Sequence, residues 1–392
     1  MSDGFCTKIK GETIVPAVNV LTKPASSACN MRCAYCFYKD ISEHRQHAFE
    51  GMLSVEDMEK VMASAVEYAD GCCSFAFQGG EPTLAGLDFF QQVVALGKTY
   101  IRSGLEIRYT IQTNGYCIDE AWARFFAEHH FLVGLSLDGP AELHDWNRKD
   151  YSGKGTHAKV MRAVRLFEKY GVEYNILCVV TGRTARSIRR IYQFYKKQNF
   201  RWLQFIPCLE PLGQERGKEA YHLSARDYGT FLVRIFDLWY QELQKGEYVS
   251  IRHLNNWLAI LLCERPESCD MTGHCSVQFV VEGDGGVYPC DFYVLDEWRL
   301  GTVGQQSFAE MAGSDAARRF VEGSLRIPGT CRTCPLFGIC RNGCKRNRLV
   351  QGGLVDRNYY CEAYRFFFTE RRWELQDAAR LILRMRYTSN GI

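Results

Sequence analysis

Cys29-Asn30-Met31-Arg32-Cys33-Ala34-Tyr35-Cys36 is the stretch on which the reading of this chain turns. It sets three thiols in a C-x3-C-x2-C run. A [4Fe-4S] cluster normally takes four cysteines, so three with no fourth nearby leave one iron open to a substrate or cofactor. An open iron means chemistry rather than electron storage. Zinc is the plainer alternative, since His44 or His47 can complete a tetrahedral set. Zinc loops, however, usually start from a short cysteine pair answered by a distant second pair. The spacing favours the cluster.

The rest of the composition agrees with that choice. The chain has 392 residues, 18 of them cysteine, and a formal charge of +3 that gives no electrostatic case for nucleic acid or membrane binding. Met1 to Glu12 is polar and lacks a signal-like apolar core, and no later stretch approaches a membrane span. The expectation is a cytoplasmic protein. In a reducing compartment many cysteines argue for metal ligation rather than disulfides. Iron-sulfur chemistry also suggests an oxygen-poor cell.

Short β-branched and aromatic runs recur at Val15 to Leu21, Ser74 to Gln78, Ile107 to Gln112, Leu132 to Leu137, Glu173 to Val180 and Trp202 to Ile206. Helical stretches lie between them. One is Ser54 to Ala69, where Ser54 is a candidate N-cap and Val55, Met58, Val61 or Met62, and Ala65 keep helical spacing. Six strands alternating with helices imply parallel βα units, forming an open sheet or curling toward a barrel. In either form, function gathers at the carboxyl ends of the strands. The cysteine loop follows the first run, Gly79-Gly80-Glu81-Pro82 the second, Thr113-Asn114-Gly115 the third and Ser136-Leu137-Asp138-Gly139 the fourth. After Ile206 the chain turns irregular, then helical from Ser224 to Lys245 and Leu254 to Leu262, before cysteine density rises. The basic residues Arg186, Arg189, Arg190, Lys196 and Lys197, and the C-terminal arginines from Arg371 to Arg386, read as solvated helix faces.

A second constellation runs C-x5-C-x14-C through Cys269, Cys275 and Cys290, then C-x2-C-x5-C-x3-C through Cys331, Cys334, Cys340 and Cys344, and ends at Cys361. Eight thiols suffice for two fully ligated [4Fe-4S] clusters, and equally for a pair of zinc ribbons. Cys6, Cys72, Cys73, Cys117, Cys178, Cys208 and Cys263 have no ligand spacing and read as buried or incidental thiols.

Taken together the two constellations resemble the radical S-adenosylmethionine enzymes. There the open iron of the first cluster chelates S-adenosylmethionine, whose reductive cleavage gives a 5′-deoxyadenosyl radical. Gly285 completes C-x9-G-x4-C between Cys275 and Cys290, a pattern that looks like the SPASM domain of protein-modifying members. The resemblance implies a partial (β/α)6 barrel over residues 1–222, a helical connection over 223–268, a SPASM domain over 269–364 and a C-terminal helical segment over 365–392. It also implies three [4Fe-4S] clusters. Cys29, Cys33 and Cys36 would hold the first. Cys269, Cys275, Cys290 and Cys344 would hold one auxiliary cluster, and Cys331, Cys334, Cys340 and Cys361 the other.

Three runs narrow the likeness to anaerobic sulfatase-maturating enzymes: Lys23-Pro24-Ala25-Ser26-Ser27, Ser74-Phe75-Ala76-Phe77-Gln78-Gly79-Gly80-Glu81-Pro82-Thr83, and Tyr288-Pro289-Cys290-Asp291-Phe292-Tyr293. That resemblance implies oxidation of a Cys or Ser in a sulfatase to formylglycine, on a substrate carrying Cys/Ser-x-Pro-x-Arg. A flavodoxin or ferredoxin would supply electrons. Tyr35, Gly80, Ser136, Arg148 and Leu209 would contact S-adenosylmethionine, and Asp291 would be the proton acceptor. An anionic cluster on the adjoining Cys290 suits a carboxylate that must take up a proton. Two alternatives stand beside this one. A SPASM maturase of a ribosomally made peptide would install a thioether, carbon-carbon link or epimerised residue. A zinc-ribbon interaction protein would leave the three-cysteine run and Gly79-Gly80-Glu81-Pro82 unexplained.

Overall fold

The six runs become six strands, and their alternation explains what each face does. The computed structural model describes residues 18–101, 104–351 and 354–389. Its strands β1 (Val18–Thr22), β2 (Cys72–Phe77), β3 (Glu106–Thr113), β4 (Leu132–Ser136), β5 (Tyr174–Val180) and β6 (Trp202–Pro207) pair in chain order, every pair parallel. Parallel neighbours need crossovers, and helices supply them. Residues 15–17 of the first run, and Cys6, lie outside the described residues.

Along β2, Cys73, Phe75 and Phe77 are buried while Cys72, Ser74 and Ala76 are only half-buried. The buried set packs on the helices. Phe77 meets Phe90 edge-on at 5.0 Å, for example, and each large apolar side chain so buried contributes about 1.5–3 kcal/mol. The opposite face carries Gln78, Gln112 and Gln204 into an interior cavity. The helix Val55–Tyr68 is capped as expected, Ser54 Oγ accepting from Asp57 N at 3.0 Å, and it buries Met58, Val61, Met62 and Ala65.

Four short strands extend the sheet beyond the expected six. β7 (Ser250–Ile251) adds parallel to β6 at one edge. β8 (Val280–Val281) adds parallel to β1 at the other, followed by the antiparallel β9 (Gly286–Tyr288) and β10 (Gly301–Thr302). The sheet is therefore mixed and ten-stranded, in the order β10-β9-β8-β1-β2-β3-β4-β5-β6-β7. Strands of two or three residues carry no periodic signal, which is why the sequence does not announce them. A separate antiparallel pair, β11 (Arg348–Gln351) and β12 (Leu354–Asn358), lies among the later cysteines.

The extension seats the later cysteines against the first loop. A fully buried ion pair, Arg45 to Glu282 at 2.8 Å, ties the segment after the helix Phe37–Glu43 to β8. Phe37 meets Phe292 edge-on at 5.0 Å. At the C-terminus the helix Arg372–Ser389 is moored to the helix Ala225–Leu243 by Tyr240 Oη donating to Asp377 at 2.6 Å. Arg371, expected on a solvated face, instead forms a two-pronged pair with Asp237 at 2.6 and 2.9 Å. Among the described residues no helix is long and apolar enough to cross a membrane.

Candidate active site

The loop after β1 carries Cys29, Cys33 and Cys36, and Cys36 immediately precedes the helix Phe37–Glu43. Its shape depends on Gly80. Gly80 N donates to Ser26 O and Glu81 N to Ala28 O, both at 2.8 Å. A Cβ on Gly80 would stand 2.0 Å from Ala28 O, so no larger residue fits without moving the cysteine loop. Glu81 is buried and accepts from Thr83 N, Thr83 Oγ1, Thr113 Oγ1 and Asn114 N at 2.7–3.1 Å, linking the ends of β2 and β3 beneath the loop.

A cavity of about 390 Å³ opens at these strand ends. Seven of the eleven candidate ligand cysteines line it: Cys29, Cys33, Cys36, Cys269, Cys275, Cys290 and Cys344. Tyr35, Gly80, Ser136, Arg148, Leu209 and Asp291 line it as well. The other four, Cys331, Cys334, Cys340 and Cys361, line a separate pocket of about 70 Å³. Cys340 and Cys344 are only four residues apart yet belong to different cavities. Between them Arg341, Asn342 and Gly343 all take positive φ (48°, 64° and 54°), which reverses the chain.

Arg148 and Tyr35 converge on Asp138, a residue with no role assigned from sequence. Arg148 Nε donates to Asp138 Oδ2 at 3.0 Å, and Tyr35 Oη donates to the same oxygen. Asp138 Oδ1 accepts from Val179 N at 3.0 Å, so the carboxylate is anchored to β5. Arg148 Nη1 reaches Cys33 Sγ at 3.9 Å, bringing a buried positive charge to the first thiol set.

Asp291 is held from two strands. Lys23 Nζ, at the end of β1 and fully buried, lies 2.5 Å from Oδ1, and Gln78 Nε2, at the end of β2, donates to Oδ2 at 2.7 Å. The Lys23 ammonium also sits 3.7 Å from the centre of the Tyr38 ring. The carboxylate is thereby fixed in orientation and its charge compensated. Neither partner was identified from sequence, although Lys23 and Gln78 both stand in the runs that carry the family likeness.

The donor set fits iron-sulfur clusters. Burial pushes the Cys29, Cys33 and Cys344 thiols up to about 12 and Cys269 to about 11, and raises Cys36 and Cys275. Such thiols lose their protons to a metal rather than to water. Among the described residues no three His, Cys, Asp or Glu side chains are grouped as ligands of one metal ion. A cluster asks for a different placement, one thiolate per iron. Of the remaining cysteines, Cys208 also lines the cavity wall, its thiol donating to Tyr221 O at 3.4 Å. Cys73 and Cys178 are buried. Cys263 is disulfide-bonded, contrary to the free thiol expected of it.

Comparison with known proteins gives the same outline. The radical SAM superfamily model matches residues 24–195, and the SPASM iron-sulfur cluster-binding domain matches residues 269–335. A cysteine-type anaerobic sulfatase-maturating enzyme of Clostridium perfringens is 47% identical over 355 residues, 90% of this chain and 96% of that protein. The chain belongs to the anaerobic sulfatase-maturating enzymes. A serine-type relative from Bacteroides thetaiotaomicron is 32% identical over 89% of this chain and 88% of its own length. Among solved structures, native anSMEcpe with bound AdoMet and Cp18Cys peptide superposes with a TM-score of 0.90 at 45% identity, over 94% of this chain and all of that one. Streptococcus suis SuiB bound to its precursor peptide SuiA, at 17% identity and a TM-score of 0.65, shares the fold.

Proposed function

We propose that this enzyme oxidises a cysteine of a sulfatase to formylglycine by a 5′-deoxyadenosyl radical mechanism. The observation that carries the proposal is the convergence, in one cavity, of the three-cysteine loop, Arg148, Gln78 and Asp291, the last paired with the buried Lys23 behind it. Cysteine is favoured over serine as the target because the cysteine-type relatives are 45–47% identical and the serine-type ones 32%. The substrate segment carries Cys-x-Pro-x-Arg, a flavodoxin or ferredoxin supplies electrons, and the work is done in the cytoplasm.

Over the described residues within 18–222 the chain is a partial (β/α)6 barrel that binds S-adenosylmethionine and the cluster on Cys29, Cys33 and Cys36. Residues 223–268 connect it to the auxiliary-cluster domain of 269–364, followed by a helical segment described to Ser389. When bound, these groups supply the adenosyl radical that removes a hydrogen atom from the target Cβ, together with a sink for one electron. The protein's own residues do the rest. Arg148, held by Asp138 and 3.9 Å from Cys33, would offer positive charge to the carboxylate of a bound cofactor. Tyr35, Gly80, Ser136 and Leu209 complete the cofactor wall. Asp291, oriented by Lys23 and Gln78, accepts the thiol proton. Loss of a hydrogen atom, a proton and an electron leaves a thioaldehyde, which water converts to the aldehyde with release of hydrogen sulfide.

The test is mass spectrometry of a Cys-x-Pro-x-Arg peptide after anaerobic turnover. A loss of about 18 mass units with hydrazine reactivity is expected, and a loss of about 2 without a carbonyl would favour thioether formation instead.

A further inference from the structure

We propose that Lys345 raises the reduction potential of the site formed by Cys269, Cys275, Cys290 and Cys344. This rests on the reading that each four-cysteine set holds an iron-sulfur cluster. Lys345 directly follows Cys344 and lines the large cavity. Its ammonium donates to Phe320 O at 3.0 Å and lies 4.4, 4.9 and 5.2 Å from the ring centres of Phe320, Trp298 and Tyr293. The three rings pack on one another, with centroids 5.2–6.0 Å apart. Rings hold a cation through their quadrupoles without neutralising it. What fixes Lys345 is thus aromatic and carbonyl, with no carboxylate in an ion pair with it among the described residues.

The space for the ammonium is made by Gly323, inside the helix Asp315–Leu325. A Cβ there would lie 3.2 Å from Nζ. Glycine weakens a helix interior, so the room comes at a cost to local stability. Lys345 lines the large cavity together with Cys275, Cys290 and Cys344. A second cation, Arg348, lines the same cavity, bound to the carbonyls of Gly273, Ser324, Asn342 and Gly343. The Cys331 pocket is lined by Arg357 and Arg365 instead. Arg357 is 44% exposed and faces Glu362 at 4.0 Å, so solvent and an anion offset it.

A cluster that gains an electron becomes more negative, and a partly buried, uncompensated cation beside it stabilises that reduced form.

Potentiometric titration of the reconstituted holoenzyme, followed by electron paramagnetic resonance, tests the proposal without substrate. In Lys345→Met one reductive wave is expected to move to lower potential while the others stay and iron content is unchanged. Lys345→Arg should return that wave toward its original position. Three unmoved waves in Lys345→Met would overturn the proposal, and so would an equal downward shift in Lys345→Arg, which would make packing rather than charge responsible. Should Lys345→Met lose iron, Lys345→Gln is titrated under the same criteria. Loss of iron from both overturns the idea, because Lys345 would then be a structural clamp. The titration remains decisive even if no formylglycine is formed, so the two readings fail separately.

Discussion

The cavity that gathers Cys29, Cys275 and Cys344 and the pocket that gathers Cys331, Cys340 and Cys361 offer the same donor atom in different surroundings. The first has about 390 Å³ of space, an oriented carboxylate and three glutamines from the sheet interior. The second has about 70 Å³, walled by Leu336, Phe337 and Tyr364, and no carboxylate lines it. Room and proton-handling groups belong to bond-breaking chemistry, whereas a small enclosed thiol site suits electron relay. The left-handed run at Arg341, Asn342 and Gly343 separates the two over three residues.

The strongest way to break this comparison is to remove the first thiol set from the large cavity. Replacing Cys29, Cys33 and Cys36 with alanine should remove about four of roughly twelve irons and abolish cleavage of S-adenosylmethionine, read by iron assay and 5′-deoxyadenosine release. Retained cleavage would place the radical chemistry elsewhere.

A smaller effect is expected from Lys23→Met. It leaves both cavities lined by their thiols but removes the ammonium that orients Asp291. Losing one charge-assisted hydrogen bond of about 1.5 kcal/mol corresponds to about a tenfold fall in aldehyde formation. Lys23→Arg, which keeps the charge, should recover part of it. An unchanged rate in Lys23→Met would show that Asp291 needs no such partner.

The smallest effect on radical generation is expected from Cys334→Ala, which disturbs only the 70 Å³ pocket. 5′-Deoxyadenosine release should persist while about four irons are lost and aldehyde yield drops. If cleavage of S-adenosylmethionine vanished too, the pocket would not be separable from the reaction site.

Much of this was legible in the sequence, for reasons that differ by region. β1 to β6 announced themselves because strands of five to eight residues are long enough to stand out as β-branched and aromatic runs, and Ser54 because a capping serine precedes a helical pattern. β7 to β10 did not, because two or three residues show no period. The cysteine spacings named the eleven candidate ligands and the family resemblance divided them into sets, while the backbone conformation at residues 341–343 is what carries Cys340 and Cys344 into different cavities. Lys23 and Gln78 stayed hidden because they lie 268 and 213 residues from Asp291, joined only when strand ends meet. Asp138 was visible in its strand-end run, but its role emerged only with Arg148 and Tyr35 beside it. Lys345 carried no signal in the sequence, because the three rings around it come from residues 293, 298 and 320.

The central claim is that the large cavity contains both the radical source and a separate proton acceptor. The ratio of peptide aldehyde to 5′-deoxyadenosine in Asp291→Asn tests it most directly. The substitution keeps the shape of the side chain and removes the proton acceptor. 5′-Deoxyadenosine should still be released, with aldehyde reduced about a hundredfold or more, as expected for loss of a general base. An Asp291→Asn enzyme that forms aldehyde and 5′-deoxyadenosine in the wild-type ratio would contradict the account.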